Sequence, residues 1–441
     1  MGLIALIRNR AFWALDAVKG GRVRMAYNEI KRIDNLDSSD PYIKEYQKKA
    51  WKKLKKEACT FTEYYSGYEK HQFSEFPVIT KNDIRSNQDS FLSGRFKKEK
   101  LIQMSTSGST GTPFISYQNS LKKKTVNAEI VYYSEKAGYR LGENLSYIRT
   151  IVKQNKKSLL KQFLQNQTLI DCGKLSDSGM EEIIRRLQRI SKKGRAVVLG
   201  YGSTYTAIKD YAIRKEIERF SGVNLKGCIS GSDMLFDETR EVISKVFGGI
   251  PVVSRYSNEE NGVIGQDEGN NNVFTINEAG YIVEICDDVG RRLPEGTLGR
   301  IVVTDLFNYA MPMIRYDTGD MGAISVFDIN GRKKRCICQF SGRRSDIIFD
   351  TGGDPLSPHI ITNYMWEFTD IRQFQVIQTD EKAFSVKLNV DNQFKRQQEL
   401  LAVLKSLLGE DARIHIQYVT GIPVLASGKR RYIVNEWKKQ E

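Results

Sequence analysis

The sequence predicts an α/β protein: a large N-terminal body of several subdomains, followed by a small α+β domain. Three observations predict it. At 441 residues the chain is too long for one ordinary core and suits one large and one small domain. Three strand-like runs, the apolar Ala196 to Leu199, Leu225 to Ile229 and Pro251 to Val253, each lead into a turn or loop of Gly, Ser or polar residues, and helical patterns follow the first two. Beyond residue 342 short strand and helix patterns alternate.

Taken in order, residues 1 to about 74 read as basic helices with Trp, Tyr and Leu at helical spacing. Phe76 to Arg85 joins an extended Pro77 segment to a helix start capped by Thr80. Ser120 to Ala137 reads as a helix, Asn144 to Val152 as a strand and Gly179 to Lys193 as an amphipathic helix. The strand from Ala196 ends in Gly200-Tyr201-Gly202-Ser203-Thr204 and opens a helix from Tyr205 to Phe220. The strand from Leu225 reaches Gly231-Ser232-Asp233 ahead of a helix from Phe236 to Phe247, and Pro251 to Tyr256 runs into Ser257-Asn258-Glu259-Glu260. Such strand ends are where α/β sheets present ligand sites. Residues 270 to 304 alternate apolar and polar around turns at Glu278-Ala279-Gly280 and Pro294-Glu295-Gly296, a β-rich pattern. After 342, strands at Ile347 to Phe349, Phe374 to Gln378, Ser385 to Val390 and Ile414 to Val419 alternate with helices at Ser357 to Trp366 and Gln393 to Leu408.

The stretch with chemistry in it is Met104 to Pro113. Two glycines permit a tight turn and close approach to a ligand, and six Ser/Thr hydroxyls with bare backbone N–H groups can surround phosphate oxygens. It is neither a Walker A loop nor a G-x-G-x-x-G fingerprint, since the required residues do not follow at the required spacing.

The loop resembles the phosphate-binding signature of the adenylate-forming ligases, of the phenylacetate-CoA ligase kind, and four further segments match in the family's order. Tyr256 to Glu260 is similar to its Tyr-Gly-x-Thr/Ser-Glu segment, and Arg315 to Asp320 to its Tyr-Arg-Thr-Gly-Asp segment. Gly342 to Asp346 resembles the hinge and Pro423 to Lys429 the C-terminal lysine motif, while Pro77 to Lys81 resembles a Pro-x-x-Thr-Lys lead-in. The resemblance spans about residues 75 to 430. It implies an adenylation domain over 1–342, with 1–74 as a basic helical lead-in, and a mobile lid domain over 343–441.

The resemblance also implies roles. Ser105, Thr106, Ser107, Gly108, Ser109, Thr110 and Gly111 would hold ATP phosphates. Gly231, Ser232 and Asp233 would lie against the nucleotide, and Tyr256, Ser257, Asn258 and Glu259 would flank it. Glu260 would bind Mg²⁺, Asp320 would accept the ribose hydroxyls, and Arg343 would contact the nucleotide. Asp346 would be the hinge, and Lys429 would bridge the substrate carboxylate and the α-phosphate. Tyr201 and Tyr205 are candidates for the acyl pocket wall, with aromatic core positions as the alternative. Three departures stand out. Thr112 and Phe114 flank Pro113 where relatives carry a lysine, so Lys122-Lys123-Lys124 is a candidate for the phosphate side; Ser257 replaces a glycine; and Glu259 adds a negative charge that either points away or shares the metal.

Three functions follow as expectations. The first is ATP- and Mg²⁺-dependent adenylation of a carboxylic acid, with transfer to coenzyme A. The second is adenylation of an acyl or amino acid for a sugar amine or hydroxyl acceptor in capsule or surface-polysaccharide biosynthesis. The third is a catalytically degenerate nucleotide-binding protein. The partners expected are a small carboxylic or amino acid, a thiol or sugar acceptor, and a second copy in a homodimer. The balance of 68 Lys+Arg against 53 Asp+Glu gives +15, but no nucleic-acid motif accompanies it and the runs read as solvated faces, so no nucleic acid is expected.

The opening apolar run is too short to span a bilayer, and a cytoplasmic protein is expected. The segment Leu3 to Val18, with Trp13 and flanking arginines, is expected to pack on its own domain; the alternative is a peripheral contact with the inner, anionic membrane face. Six dispersed cysteines suit a reducing compartment. Some relatives bind structural zinc through a Cys-x-Cys with an upstream Cys and His; Cys336-Ile337-Cys338 is present, but no Cys or His occurs among the residues just after Glu260, so the pair is read as strand residues and zinc is not expected.

Overall fold

The computed structural model describes residues 2–106, 114–149, 151, 158–172, 177–269, 272–343, 348–353, 355–356, 361, 364–365, 367–368, 370–390, 394–423 and 431–437. The chain divides into two compact units, one of residues 1–318 with 323–338 and one of residues 319–322 with 339–441.

The first unit opens with helices Leu3–Val18, Arg22–Asp34 and Pro41–Phe61, the second and third started by a capping carboxylate. Buried Asp16 accepts the backbone N–H groups of Val23 and Arg24, satisfying donors that the first turn of a helix leaves orphaned. Asp40 caps the third helix, whose first residue is Pro41. Thr80 caps the short helix Lys81–Ser86 as expected, with Asp83 reaching back to complete a capping box.

The strands in chain order are β1 Ile102–Thr106, β2 Phe114–Gln118, β3 Asn144–Ile148, β4 Gln167–Ile170, β5 Ala196–Tyr201, β6 Leu225–Gly231, β7 Val252–Asn258, β8 Gly262–Gln266, β9 Phe274–Ile276, β10 Tyr281–Cys286, β11 Gly299–Asp305, β12 Tyr316–Ile329 and β13 Arg332–Arg343. β1 and β2 pair antiparallel by themselves, and the rest form one eleven-stranded sheet in the order β10-β11-β12-β13-β9-β8-β7-β6-β5-β3-β4. From β4 to β7 the sheet is parallel, and its middle strand β5 is apolar almost throughout, as suits a strand covered on both faces. Helices Asp177–Ser191, Gly202–Arg214 and Asp237–Val246 share a core with these strands built on Ile183, Leu187, Val198, Ile208 and Ile243. The pairings Tyr201 with Gly231 and Gly231 with Arg255 bring the carboxyl ends of β5, β6 and β7 side by side. The expected helix from Tyr205 starts earlier, at Gly202, and stops at Arg214, because Glu216 takes a left-handed φ of 51°.

Helix Ser120–Lys136 packs Glu129 and Lys122 into the body. Lys122 Nζ lies 2.7 Å from Asp305 and donates to the Tyr281 hydroxyl, which in turn contacts Glu129. Burial lifts the Glu129 carboxyl from 4.5 to about 7, with Lys122 only partly offsetting it. The folded protein therefore holds a proton that the unfolded chain releases, and the resulting stability, complete in mild acid, is lost as pH rises towards 7. Glu129→Gln is expected to flatten this segment of the curve: between about pH 5 and 7 the parent should lose a few degrees of Tm by thermal denaturation that the variant keeps.

The second unit carries β14 Ile348–Phe349, β15 Pro355–Leu356, β16 Ile371–Asp380, β17 Ala383–Val390, β18 Arg413–Tyr418 and β19 Ile433–Asn435. The last four form a sheet in the order β18-β17-β16-β19. Helix Gln397–Leu408 packs Leu400, Leu404 and Leu408, spaced four apart, on a core of Phe374, Val376, Phe384, Val386 and Leu388. The expected helix Ser357 to Trp366 falls largely outside the described residues.

Candidate active site

The best-defined part of the site is the tight turn between β7 and β8 that carries Glu260. A register shift between Tyr256 and Ser257 bends β7 just before it, as bulges do beside functional sites. The turn is held from several sides. Asn258 Oδ1 accepts the Asn261 N–H at 2.8 Å, the Tyr281 hydroxyl donates to the Asn261 carbonyl at 2.7 Å, and Gln118 Nε2 donates to the Glu260 carbonyl at 3.1 Å. Gly262 closes it at φ 121°, where a Cβ would meet Glu129 Oε2 at 2.5 Å and the Tyr281 hydroxyl at 2.9 Å, so neither the backbone nor the space admits a side chain.

Glu260 is wholly buried and Glu259 is exposed, which separates the two neighbouring carboxylates. Glu260 Oε1 takes the Lys81 ammonium at 2.8 Å and the Tyr316 hydroxyl at 2.7 Å. Its other oxygen, Oε2, is buried with no hydrogen-bond partner among the described residues. A buried carboxylate oxygen left without a donor fits a hard cation. Among the described residues no group of three or more His, Cys, Asp or Glu side chains converges on a metal. What they offer is a single carboxylate that would share Mg²⁺ with substrate phosphates, as this ion commonly binds.

Lys81 is a residue to which sequence reasoning gave no role, although Pro77 to Lys81 was matched as a lead-in. Its ammonium also sits 5.7 Å over the ring of Phe114, the residue that follows Pro113 where relatives carry a lysine. A cation from a different segment thus stands beside the end of the phosphate-type loop. The Lys122 expectation is corrected. Lys122 is fully buried and committed to Asp305 and Tyr281, a role hidden in a run of three lysines because only one of the three faces inward.

Ser105 and Thr106 end β1 and pair with Ile115 and Phe114 of β2, so the two strands bracket the loop. Ser107, Gly108, Ser109, Thr110 and Gly111 lie outside the described residues, as does the Thr106 side chain. Gly231 ends β6, and a Cβ there would meet nothing within 4 Å, leaving open space at the strand end. Ser232 follows in a left-handed conformation at φ 74°. The Asp233 carboxylate accepts the backbone N–H groups of Gly202 and, at 3.1 Å, Ser203, so it caps the helix after β5.

Tyr256 is buried, and its hydroxyl donates to Thr318 Oγ1 at 3.0 Å, joining the Tyr256 to Glu260 segment to the Arg315 to Asp320 segment in space. Arg315 has a structural role: its guanidinium donates to the carbonyls of Phe76 and Gly290 and pairs with Glu284. Tyr201 is half-exposed at the end of β5. Tyr205 is corrected from pocket wall to core: it is 0 % exposed and its hydroxyl donates to the Val198 carbonyl at 2.9 Å. Cys336 and Cys338 are buried on β13, with Cys336 opposite Thr275 of β9. Asp320 is half-buried in the part of β12 that belongs to the second unit, and Arg343 ends β13 with its side chain outside the described residues. Asp346 and Lys429 also lie outside them.

Comparison with known proteins gives relatives for the chain and a shared fold. The family described as the CapK C-terminal domain matches residues 349–436. Protein CapK of Staphylococcus aureus is 26 % identical over 377 residues, covering 83 % of this chain and 80 % of that one. A phenylacetate-coenzyme A ligase of Pseudomonas putida is 24 % identical over 362 residues, 78 % of this chain and 80 % of that one. Among solved structures, a 2-hydroxyisobutyryl-CoA ligase in the postadenylation state, in complex with R3-HIB-AMP, superposes with a TM-score of 0.71 at 16 % identity over 88 % of each chain, which shows a shared fold.

Proposed function

Because this chain is a homologue of Protein CapK and of the phenylacetate-CoA ligases, on the fold of the adenylate-forming ligases, we propose that it adenylates a carboxylic acid with ATP. The observation that carries this reading is the buried Glu260, with one oxygen held by Lys81 and Tyr316 and the other without a partner among the described residues. In the reaction a carboxylate oxygen bonds to the α-phosphorus and the bond to pyrophosphate breaks, giving acyl-AMP. Two anions must meet, so the site has to neutralise charge and align them. Lys81 contributes positive charge at the loop end, the β1 and β2 loop supplies backbone donors, and Lys429 bridges the two reactants. Glu260 would hold Mg²⁺, which would supply charge neutralisation for the leaving pyrophosphate. Exposed Glu259 takes no part.

The acyl group then passes from AMP to coenzyme A, forming a thioester and releasing AMP, as the name of the Pseudomonas relative suggests. A second reading, transfer to an amine or hydroxyl of a surface-polysaccharide precursor, is favoured by the two CapK matches. Isotopic exchange between pyrophosphate and ATP, run with panels of carboxylic and amino acids without coenzyme A, tests the shared step, and exchange with no acid overturns it. Adding coenzyme A then separates the readings by the presence or absence of a thioester. Lys81→Gln is expected to slow exchange on the order of 10²-fold with Tm little changed, and an unchanged rate would remove Lys81 from the phosphate side.

A further inference from the structure

Helix Leu3–Val18 does pack on its own domain through Phe12 and Trp13, yet five of its large apolar side chains are left in water. Leu3, Ile4, Ile7, Leu15 and Val18 are 57 to 86 % exposed. Ile4, Ile7, Leu15 and Val18 recur at helical spacing, so they form a stripe. Beside it, helix Leu159–Gln165 exposes Leu160, Phe163 and Leu164, each by about two thirds. Arg8 joins the two, donating to the Phe163 carbonyl at 3.3 Å with its guanidinium 5.4 Å from the Phe163 ring. The first helix is also seated closely on the loop before β3, where a Cβ on Gly142 would meet the Ala5 carbonyl oxygen at 2.1 Å. Eight of the fifteen exposed large apolar side chains among the described residues lie here, so this is a patch and not the ordinary scatter of a surface.

Its charge selects the occupant. Residues 1–25 carry Arg8, Arg10, Lys19, Arg22 and Arg24 against one acid, Asp16, which is buried in its capping role. Arg10, Lys19, Arg22 and Arg24 are exposed, so the patch has a positive rim from this segment and no exposed acid in it. A second copy would set like charge against like. We propose that this face docks on an anionic lipid bilayer, with the leucine, isoleucine and phenylalanine side chains entering the boundary between headgroups and acyl chains and the arginines and lysine meeting lipid phosphates.

The inference is independent of the ligase reading, and its test uses the full chain without substrates. Cosedimentation with phosphatidylcholine vesicles is compared with vesicles of phosphatidylcholine and phosphatidylglycerol at about 7:3. Binding is expected to the anionic vesicles only, weakening as salt rises. The double variant Ile4→Asp, Phe163→Asp changes exposed side chains and should keep its Tm while losing about tenfold or more in vesicle affinity. Absence of binding to anionic vesicles, equal binding by the double variant, or self-association that the same substitutions abolish would each overturn the proposal.

Discussion

Glu260→Gln is expected to lower pyrophosphate exchange on the order of 10²–10³-fold, with partial recovery at raised Mg²⁺. The amide is nearly isosteric and can still accept from Tyr316, so the turn braced by Asn258, Gln118 and Tyr281 should keep its shape. What disappears is the negative charge at Oε2, the atom that no described residue satisfies. Lys81, a third exposed, can take up water in place of its lost partner, so the fold itself should change little. Recovery with added Mg²⁺ separates a weakened cation site from a collapsed one. A variant that exchanges as fast as the parent at low Mg²⁺ would remove Glu260 from the chemistry.

Lys429→Ala should divide the two half-reactions. Its proposed place is between the substrate carboxylate and the α-phosphate, two like charges whose approach it offsets. Without it, acyl-AMP formation is expected to fall on the order of 10²–10³-fold. Once the mixed anhydride exists that repulsion is gone, so consumption of supplied acyl-AMP by an acceptor should stay near the parental rate. Exchange and acyl-AMP consumption, measured separately on one preparation, check this. Equal losses in both steps would point to a damaged fold, and a parental exchange rate would end the assignment.

The middle of the parallel sheet was legible because its signal is local: Ala196 to Leu199 and Leu225 to Ile229 lead into Gly/Ser-rich turns, and both became strands at those positions, whereas β4, polar in two residues of four, gave no such signal. The Thr80 cap was legible for the same reason, since its partner Asp83 is three residues away. Glu260 stood out through its motif, but its environment did not, because Lys81 and Tyr316 arrive from distant parts of the chain. Asp233 reads as a site carboxylate until Gly202 and Ser203 are placed against it, a pairing across some thirty residues that no local pattern encodes. Tyr205 failed for a related reason: an aromatic one helical turn into a helix after a strand looks the same in sequence whether it lines a cavity or fills a core.

Lys81 has a practical meaning for anyone trimming this enzyme to a minimal catalyst. Its short helix shares an interior with the third N-terminal helix, through Leu54, Ala58 and Ile84 packed with Met313 and Tyr316. Tyr316 is also a neighbour of Glu260. The opening eighty-odd residues are therefore no detachable appendage. A truncated version starting at the β1 strand would lack the cation that pairs with Glu260, here proposed for the phosphate side, and part of the wall that keeps Tyr316 in place.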